Sequence, residues 1–264
     1  MESNNPQYVL VEYPAKGVVR FVLNNASSFN ALSTSMLHAL EKAFSQVAED
    51  ENCRVVILSA KGKAFSAGHD LREMREHPQH DFYTDLFQHC SRMMLQIQHL
   101  PQPVIAQVQG LATAAGCQLV SMCDLAIASK HATFAVSGIN YGLFCATPSV
   151  GLGRSMHRKQ AMEMLLTGDF IDAQTAVDRG LINQCVDEES LEDTVLKICQ
   201  KITAKPATAV RMGKTLFYKQ MEMGIAAAYQ LAGQTMACNM MDESAQEGFQ
   251  AFLDKRKPQW QDEN

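Results

Sequence analysis

The chain contains two segments of the same design: Lys61-Gly-Lys-Ala-Phe-Ser-Ala-Gly-His-Asp-Leu71 and Gln109-Gly-Leu-Ala-Thr-Ala-Ala-Gly-Cys-Gln-Leu119. Each segment follows an apolar, strand-like run, turns on glycine and small residues, and then enters a helix-like pattern. Backbone N–H groups at the start of a helix have no helical carbonyl to bond, so they can point at a ligand oxygen. Two such turns that converge on one point would form an oxyanion hole.

The composition is that of an ordinary globular protein. Its 264 residues, of which 47% are hydrophobic and 19% charged, suffice for one large core or a core with a smaller appendage. A net charge of -5 argues against nucleic acid and anionic membranes as main partners, since both reward basic surfaces. No apolar stretch reaches ~18 residues, so we expect no membrane-spanning segment.

The cysteines point to a reducing compartment. The eight cysteines form no Cys-x-x-Cys pair and no Cys/His spacing typical of a metal site. Several, such as Cys53, Cys117 and Cys123, lie among apolar neighbours, as reduced core thiols of cytosolic proteins do. Residues 1–6 lack the charged and apolar regions of an export signal. These features predict a cytoplasmic protein without a bound metal.

Strand-like and helix-like patterns alternate through the first part of the chain. Apolar runs at Val18–Leu23, Val55–Leu58, Val104–Val108 and Leu125–Ala128 predict strands, and helical stripes lie between several of them. This alternation is typical of an α/β core with parallel strands. From about Leu191 onward the patterns are helical, and we expect their apolar stripes to pack on the core and against neighbouring subunits.

A series of motifs in fixed order points to a known superfamily. The matching pieces are Leu23-Asn24 with Asn30-Ala31-Leu32, Ala64 to Leu71, Pro103 to Ala106 with Gly110, Cys123-Asp124-Leu125, Ala161 to Gly168, Ala173 to Leu181, and Glu247 to Lys257. By these motifs the chain resembles the crotonase (enoyl-CoA hydratase/isomerase) superfamily over nearly its full length. Within it, the likeness is greatest to enoyl-CoA hydratase domain-containing proteins that carry Gly142-Leu-Phe-Cys145 and lack two catalytic glutamates.

The resemblance implies both an architecture and a class of substrate. The fold would be an α/β, crotonase-like spiral of β-β-α repeats with a C-terminal helical trimerisation region. Residues 1–195 would form the acyl-CoA-binding core and residues 196–264 the oligomerisation region of a homotrimer or a dimer of trimers. The substrate would be an acyl-CoA thioester, with coenzyme A as part of the substrate and no metal or redox cofactor.

The resemblance also assigns the oxyanion hole. Its donors would be the backbone N–H groups of His69 and Ala115. Chemistry on an acyl-CoA places negative charge on the thioester oxygen, and two fixed donors stabilise the resulting enolate. We therefore expect an enzyme of the family's hydratase or isomerase type, which most directly means a lyase.

Further positions would hold the coenzyme A part of the substrate. Ala67, together with His69, Asp70 and Leu71, would line the turn that receives the adenine and the pantetheine. Phe252 and Lys255 would reach the nucleotide end from an adjacent subunit, where a lysine suits a phosphate as a point charge. Asp70 has a second interpretation, because an aspartate just before a helix caps its N-terminus.

The sequence departs from the family at the acid–base positions. Where the hydratases hold a water between two glutamates, this chain carries Gln118 and Gly138. Glutamine can orient a water but cannot exchange a proton at neutral pH, and glycine has no side chain. The aspartate nucleophile of the superfamily's dehalogenases is matched by Ala146, which disfavours that reaction.

Four side chains are candidate replacements, each with a structural alternative. His89 lies near where the dehalogenases carry a histidine base, but it could be an ordinary helix histidine. Cys145 could be a nucleophile or a small apolar lining residue. Tyr141 could donate a hydrogen bond or simply pack. The His69 side chain could take part in catalysis beside its backbone role.

Two other functions therefore remain open alongside the hydratase/isomerase reading. One is a decarboxylase or acyl-CoA hydrolase that uses His69, Cys145 or His89. The other is a non-catalytic acyl-CoA-binding protein that keeps the hole and the trimer but lacks proton-transfer groups.

Overall fold

The computed structural model describes residues 7–260, so the N-terminal residues in which an export signal was sought lie outside the described range. The described strands are β1 Val9–Ala15, β2 Val18–Leu23, β3 Val55–Ala60, β4 Ala64–Ser66, β5 Val104–Val108, β6 Leu111–Thr113, β7 Leu125–Ser129, β8 Thr133–Ala135, β9 Ile171–Asp172 and β10 Gln184–Val186.

The described helices follow the strands and fill the C-terminal part. They are α1 Thr34–Ala48, α2 Leu71–Glu76, α3 His80–His99, α4 Ala115–Met122, α5 Ala146–Ser155, α6 Arg158–Thr167, α7 Ala173–Asp178, α8 Glu188–Thr203, α9 Ala207–Met221, α10 Ile225–Met240 and α11 Glu243–Leu253. Short 3-10 turns lie at Ala26–Ser28 and Ser137–Tyr141.

The strands form two sheets. The larger sheet has the order β1-β2-β3-β5-β7-β10 and the smaller has the order β4-β6-β8-β9. Pairing is parallel except between β1 and β2 and between β8 and β9. From β3 onward, successive units place one strand in each sheet and then turn into helix: β3-β4-α2, β5-β6-α4 and β7-β8-α5. The predicted spiral of β-β-α repeats is confirmed.

Alternating side chains of the larger sheet enter two different cores. Val56 and Leu58 of β3 belong to the main core with α1 and α3, whereas Val55 and Ile57 pack toward α8. Since neighbouring residues of a strand point to opposite faces, a strand covered on both sides is apolar throughout. This explains why the parallel strands could be recognised as continuous apolar runs.

Helix α1 shows how local sequence sets an element's limits. The Ser33 hydroxyl accepts a hydrogen bond from the Met36 N–H at 3.2 Å and so caps the helix. An apolar stripe is buried along the whole helix and consists of Met36, Leu37, Leu40, Ala43, Phe44 and Val47. Burying this stripe holds α1 against the sheet and fixes the loop that precedes it.

The C-terminal helices leave much apolar surface uncovered in one chain. Ile225 is 77% exposed, Tyr229 75% and Phe252 80%. The predicted boundary at residue 195 falls inside α8, whose Leu191, Val195 and Cys199 are buried against the larger sheet. The division into 1–195 and 196–264 stays a prediction. Within residues 7–260, none of the helices combines the length and apolar character that crossing a bilayer demands.

A buried ion pair ties α9 to the core. The Lys214 ammonium donates to the Asp124 carboxylate at 2.7 Å and to the carbonyls of Ile97 and Gln102 at 2.8 and 2.9 Å. Tyr218 donates to the other Asp124 oxygen at 2.8 Å. Burial lowers the pKa of Lys214, although the Asp124 carboxylate opposes this change. Every donor of the ammonium is therefore used within the protein.

Replacing Lys214→Met should lower the free energy of unfolding by roughly 3–5 kcal/mol, because it leaves the Asp124 carboxylate buried without its cation. Lys219→Met, at an exposed position of the same helix, is the matched control and should change stability little. Urea denaturation followed by circular dichroism measures both variants. Equal stability of the two variants would show that the ion pair does not hold α9 in place.

Candidate active site

The two glycine turns lie directly against each other. Gly68 has a φ of +89°, and a Cβ at this position would lie 2.9 Å from the Ala114 Cβ and 3.1 Å from the Ala115 nitrogen. A Cβ on Gly116 would lie 2.2 Å from the Ser66 carbonyl oxygen. Glycine is required at both positions because any side chain would push the turns apart. The chain therefore brings the His69 turn to the first residue of α4.

These turns leave main-chain donors unused, among them the N–H groups of His69 and Ala115. The groups that come earlier in each turn have acceptors: the Ala67 N–H donates to Phe29 at 3.0 Å, and the Ala114 N–H donates to Ala135 at 3.0 Å. Within the described chain, the N–H groups of His69 and Ala115 have no acceptor. Ala115 is 1% exposed, and buried N–H groups without a partner are rare in folded proteins. Such groups are suited to binding a ligand oxygen.

The residue before α4 has a strained backbone. Ala114 has φ +49° and ψ -122°, a region that residues with a side chain seldom occupy. Such conformations cost about 1–3 kcal/mol and persist where the surroundings impose them. Here the close packing of Gly68 and the bond to the Ala135 carbonyl hold Ala114 in place.

Replacing Ala114→Gly should raise the free energy of unfolding by about 1 kcal/mol, because relief of strain exceeds the entropy cost of a glycine. Ala227→Gly, at an exposed site inside α10, should instead lower stability by about 0.5–1 kcal/mol. Urea denaturation midpoints at matched m-values measure both changes. A loss of stability in Ala114→Gly would mean that the backbone at residue 114 is relaxed.

The His69 side chain is held in one orientation. Its Nδ1 lies 3.2 Å from the Leu32 carbonyl oxygen, so Nδ1 carries the proton and donates it. The imidazole meets the Phe87 ring edge to face, with centroids 5.4 Å apart. Its Nε2 is shielded from solvent and has no hydrogen-bond partner in the described chain. Burial lowers the pKa of His69, although the Leu32 carbonyl and the Glu73 carboxylate oppose this change.

A second buried acceptor belongs to Gln118. This side chain is 4% exposed, and its Oε1 lacks a partner within residues 7–260. Gln118 lies in the first turn of α4, three residues after Ala115, so it shares a face with the start of the helix. An unpaired buried oxygen is costly, which favours a bound water or ligand at this point.

Gly138, which we expect to match a family glutamate, is closely packed against a later part of the chain. A Cβ on Gly138 would lie 2.6 Å from the Leu143 carbonyl oxygen and 2.8 Å from the Cys145 sulfur. The adjoining Ser137 hydroxyl lies 2.9 Å from the Thr113 hydroxyl, which places this segment beside the second glycine turn. Burial raises the pKa of the Cys145 thiol, so this arrangement favours a lining role over a nucleophilic one.

His89 serves a different part of the molecule. Its Nε2 lies 3.0 Å from the Glu41 carboxylate, and its ring contacts the His38 ring with centroids 4.3 Å apart. Both partners belong to α1. Phe87, two residues earlier, faces His69, and a two-residue step turns a helix by about 200°. His89 is therefore not brought together with His69 and Ala115.

The remaining predicted binding residues are dispersed. The Asp70 carboxylate caps α2 by accepting from the Arg72 N–H at 2.9 Å, as the capping interpretation predicts, and Leu71 is 66% exposed. Phe252 and Lys255 are exposed at the end of α11. Their contact with coenzyme A stays a prediction.

Two features of the site escaped the sequence analysis. The Leu32 carbonyl acts through the backbone and therefore leaves no mark on residue type. Phe87 follows the pattern of an ordinary apolar residue of α3, although it also borders an open surface groove of about 510 Å³ along α3 and Thr147 of α5. The Phe87 ring contacts the His69 imidazole, but His69 and Ala115 do not line this groove. No group of three or more His, Cys, Asp or Glu side chains in residues 7–260 is arranged to hold a metal ion.

Comparison with known proteins identifies the family. The model of the enoyl-CoA hydratase/isomerase family matches residues 14–263. The chain belongs to this family. It is similar to the rat mitochondrial enoyl-CoA hydratase domain-containing protein 3, with 47% identity over 92% of this chain and 81% of that protein.

Solved structures support the same assignment. An enoyl-CoA hydratase from Mycobacterium smegmatis is 56% identical, with a TM-score of 0.95 over 97% of this chain and 99% of that one. Human enoyl coenzyme A hydratase domain-containing protein 3 is 43% identical, with a TM-score of 0.92 over 96% and 100% of the two chains.

The prediction of a cytoplasmic location is wrong. Five relatives with 45–47% identity are named as mitochondrial proteins. Unpaired cysteines separate reducing from oxidising compartments, but they do not distinguish one reducing compartment from another. The composition therefore could not decide between the cytoplasm and an organelle.

Proposed function

We propose that this protein binds an acyl-CoA thioester and stabilises its enolate with the main-chain N–H groups of His69 and Ala115. One observation carries the proposal: the two glycine turns pack against each other and leave these donors without acceptors in the described chain. Family membership supplies the substrate class, since members are described as enoyl-CoA hydratases and isomerases.

The chemistry requires donors that are fixed before the reaction begins. When a proton leaves the carbon next to the thioester carbonyl, charge moves to the carbonyl oxygen. Donors already aimed at that oxygen need no reorganisation, and losing one typically costs 10²–10³ in rate. Ala115 is the first residue of α4, so the positive end of the helix dipole adds to this stabilisation.

The remainder of the substrate would extend over both the turn and a neighbouring subunit. Ala67, Asp70 and Leu71 flank His69 in the sequence and would contact the pantetheine and adenine. Phe252 and Lys255 lie on the exposed apolar end of the chain, whose uncovered side chains favour association with further copies. We therefore propose a homotrimer or a dimer of trimers, with no metal or redox cofactor.

An ordinary hydration should be slow in this site. Gln118 cannot exchange a proton, and the space beside Gly138 is occupied by Leu143 and Cys145. Crotonyl-CoA hydration, followed by loss of the conjugated thioester's absorbance, should be slower than in a two-glutamate relative by roughly 10²–10⁴ for each missing group. Rapid hydration would show that another acid–base pair operates.

Glutamate should be tolerated at position 118 but not at position 138. Gln118→Glu adds no atoms and should raise the hydration rate, by roughly 10²-fold if one proton-transfer group suffices. Gly138→Glu should instead destabilise the fold, because its Cβ meets a backbone carbonyl at 2.6 Å. An unchanged rate in a folded Gln118→Glu variant would mean that residue 118 does not face the reacting carbons.

The oxyanion hole is tested by acetoacetyl-CoA, whose enolate absorbs in the near ultraviolet. The bound ligand should form its enolate at lower pH than the free ligand. Gly68→Ala should reduce this effect and any turnover by about 10²–10³, because its Cβ pushes against Ala114 and Ala115.

The chain offers a closely matched control. Gly62 also has a positive φ, +84°, and a Cβ there would lie 2.7 Å from the Ala26 Cβ. Gly62→Ala should therefore cost similar stability while leaving enolate formation unchanged. Failure to bind acetoacetyl-CoA, or binding without any shift in enolate formation, would contradict the proposed function. Binding with the shift but without turnover on enoyl, malonyl-type and saturated esters would favour the non-catalytic alternative.

A further inference from the structure

We infer that the imidazole of His69 is the group that takes and returns the substrate's proton in the isomerase reaction that the family's description names, the migration of a double bond within an enoyl-CoA. This inference rests on the proposed function and names its reaction. It assigns the side chain of His69 a role separate from that of its backbone N–H.

The geometry supplies a base with its lone pair available. The Leu32 carbonyl accepts the Nδ1 proton at 3.2 Å, which leaves Nε2 as the acceptor. Nε2 is shielded from solvent and has no partner among the described residues, so no protein group competes for it. A buried acceptor of this kind, on the same residue as an unused N–H, is placed to act on an atom close to the bound carbonyl.

Phe87 adjoins the imidazole on the side of α3. Its ring lies edge-on to the imidazole and also lines an open surface groove along α3 and Thr147 of α5. His69 as a whole is only half-buried. The proposed acyl chain would approach the imidazole beside Phe87.

Other titratable groups near the site are unsuited to proton transfer. Burial raises the pKa of the Cys145 thiol, and burial raises the pKa of Cys117 to about 12. Gln118 does not titrate. The Asp70 carboxylate is engaged as the cap of α2. His69 is therefore the described side chain at these turns that can be neutral and basic near neutral pH.

A single base favours isomerisation over hydration. Nε2 would remove a proton from the α carbon of a 3-enoyl-CoA, and the C–H electron pair would enter a dienolate held by the two N–H groups. The imidazolium would then give the same proton to the γ carbon, where the dienolate electrons form the new C–H bond. The double bond moves into conjugation with the carbonyl, and neither water nor another reactant is consumed.

The rate should depend on the protonation of the imidazole. The charge of Glu73 in α2 acts on the His69 imidazole. The other neighbours of the imidazole are uncharged: the Leu32 carbonyl and Phe87 of α3. Because burial lowers the pKa of His69 below its ordinary value, the neutral form prevails at pH 7. Activity should fall as the pH drops through the lowered pKa and should level off above it.

The test is conversion of 3-hexenoyl-CoA to 2-hexenoyl-CoA by the full chain, together with deuterium uptake from D₂O at the α carbon of butyryl-CoA. His69→Gln should lower both rates by roughly 10²–10⁴, because it removes the base and retains the backbone N–H. His69→Asn provides a second, smaller variant. His99→Gln, at the exposed end of α3, should leave both rates unchanged.

Acetoacetyl-CoA separates this inference from the proposed function. If His69→Gln still promotes enolate formation of that ligand but has lost isomerisation, both proposals are supported. If His69→Gln isomerises like the unchanged protein, or if His89→Gln alone abolishes the reaction, the proton acceptor is another group. If the unchanged protein also fails to promote the enolate, the proposed function itself is contradicted. The acid limb of the pH profile should disappear in His69→Gln, which a purely structural role would not produce.

Discussion

The site depends on one constraint: two backbone turns lie so close together that no side chain fits between them. Gly68 lies against the Ala115 nitrogen, and Gly116 lies against the Ser66 carbonyl, at distances that a Cβ would violate. The turns are adjacent because β4 and β6 pair in parallel in the smaller sheet. Parallel strands end at the same edge, so the chain leaves both strands at neighbouring points. The β-β-α repeat thus creates the site as a consequence of its topology.

This close packing of the two turns is energetically unfavourable, and the rest of the fold must stabilise it. Ala114 is held at positive φ, and buried acceptors on His69 and Gln118 lack partners among the described residues. Each of these features is unfavourable in isolation. Both sheets, the apolar stripe of α1 and the buried Lys214–Asp124 pair supply rigid surroundings. The strained backbone of Ala114 and the unpaired atoms of His69 and Gln118 lie on the two turns, as expected of a site that receives a ligand.

Much of this arrangement could be predicted from local sequence. The apolar runs, the Ser33 and Asp70 caps and the glycine turns each follow from residue type at a given spacing. The Leu32 carbonyl that orients His69 could not be predicted, because a backbone group has no sequence signature. The pairing of His89 with Glu41 likewise depends on the tertiary contact of α3 with α1.

The glycine at position 138 is best understood from the packing of the segment that follows it. The Gly142-Leu-Phe-Cys145 segment folds back so that the Leu143 carbonyl and the Cys145 sulfur occupy the space next to Gly138. Glycine is then the residue that this segment permits, and the absence of a carboxylate follows from packing. The proposed donors are main-chain groups, so they do not depend on a carboxylate at residue 138. In the proposed reaction, proton transfer falls to a side chain that is already fixed beside the two turns, which is the position that His69 holds through Leu32 and Phe87.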